Sequence, residues 1–288
     1  MVRRHGQGAP ANTFMFNRPN LHSALADTLY AGKLHFSPVT QSTNTDALEG
    51  ARAAAPHGSV FFADEQLAGR GRGAHAWHSA AGQGLYVSVL LRPSIPAVRL
   101  PLLALAAGLA AASAIRRTAA LTVDIRWPND LLVGQRKTGG ILVEGKTESD
   151  EVAFAVVGIG INVHHRAFPT DVSTPATSLD QASGQIVSRQ SLLIALLQSL
   201  AEEALALESP AGSEAIAQRL QQASSWISGR RVQVHGPQAC TGMTAGLDEN
   251  GFLRVRTAAG LITVQTGGLR AAETEPLQSG PLPSHPEL

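Results

Sequence analysis

Cysteine is almost absent: Cys240 is the only one in 288 residues, which excludes an intramolecular disulfide and any multi-cysteine zinc site. It reads as a small core residue, not a nucleophile. Aromatic residues are scarce at 5%, and charged residues, at 16%, fall below the roughly 25% usual in soluble domains. A net charge of +1 does not suit a protein that binds polyanions over its whole surface. The longest apolar run, 100–115, is too short and too rich in alanine for a membrane span. No charged-then-apolar secretory leader opens the chain. These absences set the expectation of a cytoplasmic protein with neither membrane nor DNA as a partner. What is present is 44% hydrophobic residues, enough for a full core, in a length that suits one main domain and a smaller one.

The most informative stretch is 69–77, Gly-Arg-Gly-Arg-Gly-Ala-His-Ala-Trp. Its alternating glycines let backbone N–H groups approach an anion closely. Arg70 and Arg72 each offer two donors to a phosphate or carboxylate, and Trp77 adds a flat apolar face. By itself the stretch reads equally well as a solvated surface loop or a basic nucleic-acid patch.

In chain order, residues 1–33 mix Gly, Pro, Asn, Arg and His without a sustained apolar period. They are expected to form a loosely ordered arm with a short helical possibility at 21–30. The arm is too short for a DNA-binding domain of about 50 residues or more. A strand is expected at 34–39 and a helix over 47–55. Ser42, Thr43 and Asn44 stand ahead of that helix, either as caps or facing a polar ligand. Further strands are expected at 59–63 and 84–91, joined by the glycine/arginine loop, then an alanine-rich helix at 101–117 and a strand at 123–126. A hairpin should pair 131–133 with 140–144 around the turn 134–137. A strand at 153–163 carries Gly158 and Gly160, which invite close approach. Helices at 191–208 and 213–222 precede short alternating strands at 231–235, 240–247, 252–256 and 261–265. The proline-containing tail, 273–288, is expected to be disordered.

Ser42-Thr43-Asn44, Gln66, the 69–77 loop, Trp127-Pro128-Asn129-Asp130, the stretch from Lys137 to Glu144 (Lys-Thr-Gly-Gly-Ile-Leu-Val-Glu), Gly158-Ile159-Gly160-Ile161-Asn162 and a terminal small β unit occur in one order. In this the chain closely resembles the biotin–protein ligases, in the form without an N-terminal DNA-binding domain. The resemblance runs from about residue 34 to residue 270. It implies an α+β fold: a mixed sheet with helices on one side, like the class II synthetases, over 34–225, and a small SH3-like β-barrel over 226–272.

The resemblance also implies a reaction. Biotin and ATP, with Mg²⁺, form biotinyl-5′-adenylate and pyrophosphate, and biotin then passes to a lysine of a biotin carboxyl carrier protein domain belonging to a biotin-dependent carboxylase such as acetyl-CoA carboxylase. By match to the family's motifs, Arg70, Arg72 and Lys137 are the catalytic cations. Ser42, Thr43, Asn44, Gln66, Gly69, Gly139, Gly140, Gly158 and Gly160 line the biotin pocket together with those cations. Trp77, Asn129 and Asn162 join Arg72 and Lys137 around the nucleotide, and Asp130 is the candidate magnesium ligand.

One departure stands out. The family's loop commonly reads Gly-Arg-Gly-Arg-Arg-Gly-Arg-x-Trp, and here its fifth to seventh positions are Gly73, Ala74 and His75. That sets retention of the adenylate in question. The alternatives are a lipoate or octanoate ligase of related fold, a biotin-binding pseudo-enzyme, and a DNA-binding regulator, for which the arm supplies no basic helical module. A homodimer through a sheet edge stays open.

Overall fold

The computed structural model describes residues 16–73, 75–169, 174–209 and 211–272. Its centre is a seven-stranded sheet in the order β1-β2-β3-β7-β6-β5-β4. The strands are β1 (Leu34–Thr40), β2 (Ser59–Gln66), β3 (Gly84–Leu91), β4 (Asp124–Arg126), β5 (Asp130–Val133), β6 (Arg136–Glu148) and β7 (Glu151–Asn162). Only β1 and β2 run parallel; the remaining neighbours are antiparallel. The expected mixed sheet is therefore present, and the region around the 69–77 loop does join β2 to β3.

Alternation along the central strands sorts residues onto two faces. Val87 and Val89 of β3 and Val157, Ile159 and Ile161 of β7 fall on one face, in the main apolar cluster. Against this face lie α3 (Leu100–Ala119) and α5 (Arg189–Glu208), which pack on each other. Both are long and apolar enough to cross a membrane by length and composition, but their apolar positions, Leu103, Ala107, Leu192 and Leu196 among them, are used in this core. One helix departs from the expectation of helices on one side. α2 (Thr43–Arg52) covers the opposite face, where Ala47 and Ala51 pack with Leu90 and Val156 in a separate small cluster. It begins at Thr43, earlier than expected, with Ser42 as its N-cap residue.

The expectation of a loose arm over 1–33 is corrected for its described part. Helix α1 (Arg18–Ala24) is capped by the Asn17 side chain accepting from Asn20 N. Leu21, Leu25 and Tyr30 are fully buried, and Phe16 packs edge-on against Phe36 and Phe62. The signal was weak because the helix has 7 residues and the only buried pair at helical spacing around it is Leu21 and Leu25, too short a period to distinguish from chance. Residues 1–15 and the tail 273–288 lie outside the described residues.

Two further helices, α4 (Leu179–Ser183) and α6 (Gly212–Ala223), lead to five antiparallel strands: β8 (Ser228–His235), β9 (Cys240–Leu247), β10 (Leu253–Thr257), β11 (Gly260–Val264) and β12 (Gly268–Ala271). Their order is β11-β10-β9-β8-β12. This small β unit docks through its β9–β10 turn. Gly251 sits against Leu102 and Leu105 of α3, and its carbonyl accepts from Trp127 Nε1 at 3.1 Å. Sequence pattern located four of these strands; β12, only four residues long, was below its reach.

Leu21→Ala should destabilise the protein by about 2–5 kcal/mol, the usual cost of truncating a buried leucine. Urea unfolding measures it, and a change within about 0.5 kcal/mol would show that the α1 segment is not part of the core.

Candidate active site

The face of the sheet left open beside α2 holds a cavity of about 1150 Å³. Single small-molecule sites occupy roughly 300–1,000 Å³, so there is room for two ligands side by side. It is lined by Ser42, Thr43, Asn44, Gln66, Gly69, Arg70, Arg72, Trp77, Asn129, Asp130, Lys137, Gly140, Gly158, Gly160 and Asn162. Every expected site residue except Gly139 is thereby brought to one cavity.

Strand register explains that exception. Leu131 pairs with Gly139 but Leu132 pairs with Lys137, so β6 carries one extra residue, Thr138, opposite β5. Such a bulge shifts the alternation by one. Lys137 therefore shares a face with Gly140, while Gly139 points the other way. A Cβ on Gly139 would meet Leu131 Cδ1 at 2.9 Å and Ile161 Cγ1 at 3.5 Å, on the core side. Gly139, expected among the pocket glycines, is therefore not among the residues that line the cavity.

Gly158 and Gly160 have a definite reason to lack side chains. A Cβ at Gly158 would lie 1.9 Å from Asn44 Oδ1, and one at Gly160 would lie 2.5 Å from Trp77 Nε1. The asparagine of α2 and the tryptophan of the loop thus press directly on β7. Trp77 also comes within 3.4 Å of a Cβ position on Gly140, so its indole covers both strands.

At one end the lining is polar and already hydrogen-bonded. Gln66 Oε1 accepts from Thr43 N at 2.9 Å and from Thr43 Oγ1 at 3.1 Å, which satisfies a free N–H at the start of α2. Gln66 Nε2 donates to Ser79 Oγ at 2.7 Å. Asn44 Nδ2 donates to Glu144 Oε2 at 2.8 Å, and Asn44 Oδ1 lies 2.6 Å from Ser88 Oγ. Ser42, Thr43 and Asn44 are buried. Ser79, Ser88 and Glu144 went unremarked in the sequence as site residues. A serine inside an apolar strand such as 84–91 was the available signal for Ser88.

At the other end the groups are charged. Lys137 Nζ lies 2.5 Å from Asp130 Oδ1 and 5.4 Å from the centre of the Trp77 ring. Arg126 donates to Asp130 Oδ2 from Nε at 3.1 Å and from NH2 at 2.6 Å. Burial works against ionisation of Asp130, but Lys137 and Arg126 outweigh it and hold the carboxyl below its ordinary range. Asp130, the residue expected to face magnesium, has each oxygen paired with a cation here, Oδ1 with Lys137 and Oδ2 with Arg126. Among the described residues no group of three or more His, Cys, Asp or Glu side chains could hold a metal. Asn129 and Asn162 donate to the carbonyls of Ile141 and Thr177 at 2.8 and 3.2 Å, which fixes their orientation at the cavity wall.

The glycine/arginine loop is a small hairpin, with Arg70 bridged to Ala76 and Trp77 N donating to Gly69 O at 2.8 Å. Arg70 makes two bonds to Glu144, and Arg72 bonds the Thr266 hydroxyl at 2.6 Å and the Gly267 carbonyl. Burial lowers the Arg72 pKa, with Asp130 acting in the opposite direction. Gly73 has φ +69° with open space around it, a conformation a β-carbon disfavours. The departure from arginine at this position therefore has a local backbone reason; Ala74 lies outside the described residues.

Residues 36–162 match the profile of the biotin/lipoate A/B protein ligase family. The biotin–[acetyl-CoA-carboxylase] ligase of Mycobacterium tuberculosis is 31% identical over 234 residues, 79% of this chain and 85% of that protein. The chain belongs to this family. The bifunctional ligase/repressor BirA of Bacillus spizizenii is 38% identical over 194 residues, covering 67% of this chain and 60% of that protein; the chain thus spans less than two thirds of the length of that relative. A biotin protein ligase structure from Aquifex aeolicus, in complex with biotin and ATP, superimposes with a TM-score of 0.71 at 27% identity, over 84% of this chain and 100% of that one. The family's mixed sheet and small C-terminal β unit are both present here.

Gly158→Ala should cost about 1–3 kcal/mol, because the added methyl forces Asn44 out of its bonds to Ser88 and Glu144. Denaturant unfolding checks this, and an unchanged midpoint would mean that Asn44 is not held against β7.

Proposed function

We propose that this protein activates biotin with ATP to biotinyl-5′-adenylate, releases pyrophosphate, and transfers biotin to a lysine of a biotin carboxyl carrier domain. The observation that carries the reading is the division of one cavity into a hydrogen-bonding end and a cationic end, in a chain related to ligases whose structures hold biotin and ATP. A buried ureido ring needs its donors and acceptors matched, and Ser42, Thr43, Asn44 and Gln66 present such groups. An acyl chain as in lipoate would not use them.

Joining a carboxylate to the α-phosphate of ATP brings two anions together. Lys137 and Arg70 stand where cations offset that repulsion, and Lys137 stabilises charge at the α-phosphate and acyl oxygen as the bond to pyrophosphate breaks. Asp130 keeps the Lys137 ammonium oriented between itself and Trp77, whose ring offers a stacking face to adenine. Asp130 would be the side chain to face magnesium bound with the triphosphate, which would supply further charge neutralisation. In the second half-reaction a neutral lysine amine of the carrier attacks the acyl carbon, forming the amide and expelling AMP.

Lys137→Ala should lower biotin-dependent pyrophosphate exchange by about 10²–10³-fold, the usual cost of removing one preorganised group that stabilises transition-state charge, while the fold survives. Exchange above a few per cent of the wild-type rate would overturn the role given to Lys137. Incubation with biotin, ATP and a carrier domain tests the whole reaction, and lipoate used in preference to biotin would replace this reading.

His75→Arg should slow release of preformed labelled biotinyl-adenylate about tenfold or more, since a charge-assisted contact contributes on the order of 1.5–3 kcal/mol. Equal off-rates would show that the missing arginine does not govern retention. Arginine at position 73 is a poorer probe, because of its φ of +69°.

A further inference from the structure

Two polar side chains, Glu144 and Ser88, hold lining residues without lining the cavity themselves. Glu144 receives Arg70 NH1 on Oε1 at 3.0 Å and Arg70 NH2 on Oε2 at 2.7 Å. The same Oε2 accepts from Asn44 Nδ2 at 2.8 Å. Ser88, fully buried, places its hydroxyl 2.6 Å from Asn44 Oδ1 and 2.8 Å from Thr43 Oγ1. Thr43 leads to Gln66, Gln66 to Ser79, and Ser79 Oγ to the Trp77 carbonyl at 3.1 Å. A continuous chain of hydrogen bonds thus runs from Arg70, near the start of the loop, along the polar end of the cavity, to Trp77 at the end of the loop.

We infer that Glu144 is a positioning residue for the biotin end of this site, with Ser88 completing the orientation of Asn44. The inference rests on the reading given under Proposed function. An amide has two nearly isosteric orientations, and only one puts Nδ2 on the Glu144 carboxylate and Oδ1 on the Ser88 hydroxyl. Without the carboxylate, Asn44 Nδ2 keeps only the Leu142 carbonyl at 3.4 Å, a weak contact. Arg70 then loses the planar two-point hold that sets its guanidinium. One change therefore loosens two ligand-facing groups. A purely structural role does not fit the position: the Glu144 side chain is 28% exposed and that of Arg70 41%, and ion pairs so open to water contribute little to stability.

The test is titration calorimetry of biotin and, separately, of ATP into the full-length wild type, Glu144→Gln and Ser88→Ala, with thermal midpoints recorded alongside. Glu144→Gln keeps the volume and one acceptor oxygen but sets an NH₂ against a donor. Biotin affinity should fall tenfold or more in Glu144→Gln and about threefold or more in Ser88→Ala, with ATP affinity within twofold of wild type in both. Biotin affinity within twofold of wild type in either variant overturns the inference. So does a parallel loss of biotin and ATP affinity with a lowered midpoint, the mark of a merely structural residue. If Glu144→Gln fails to fold, Ser88→Ala decides by the same thresholds. Absence of biotin binding by the wild type would overturn the functional reading, and this inference with it; the other outcomes concern the inference alone.

Discussion

The site depends on a place where two adjacent strands are bare. Gly140 and Gly160 face each other across β6 and β7, and Gly158 pairs with Leu142 one step along. A sheet normally covers itself with side chains on both faces, and here the missing Cβ atoms let Trp77 and Asn44 come down onto the backbone itself. The loop and helix α2 are brought close enough to act on one cavity. On the opposite face, valine, leucine and isoleucine side chains of β3 and β7 lie in one apolar cluster with those of α3 and α5. One face of the central strands is thus spent on stability and the other on recognition.

A second constraint is electrostatic. Asp130 is the anion shared by Lys137 and Arg126, and it allows two cations to stand close in a half-buried setting where they would otherwise repel. Placing Lys137 there requires the extra residue at Thr138 in β6. Without that bulge, the lysine would point into the core with Gly139. The chemistry we propose for this end, offsetting charge on phosphate and carboxylate, is the kind that needs cations preorganised at fixed positions.

The β8–β12 unit is tied into the same system. Its Thr266 and Gly267 hold Arg72, its Gly251 carbonyl holds Trp127, and Trp226 is flanked by Arg126 and Arg230. The main apolar cluster continues into it through Val232, Val234, Leu253 and Val255. The small unit forms part of the cavity wall, and its position affects the loop directly.

Much of this was legible in the sequence. Turn residues and apolar alternation are local, and they located most strands and the long helices. The glycines, arginines and Lys137 stood in an order that carried the family and the contents of the cavity. The sequence determined which side chains could bind anions and polar rings, because those are properties of residue types. Tertiary structure decided which of them face each other. The bulge that turns Lys137 outward and Gly139 inward is a mismatch between two strands, and no single strand reveals it. Asp130 is engaged by near neighbours in the chain, Arg126 and Lys137, but which way those side chains face is set by strand pairing. Asn44 meets Ser88 and Glu144 from 44 and 100 residues away, and α1 is buried against strands that follow it. Contacts at that separation depend on how the sheet is ordered, a property of the folded chain as a whole.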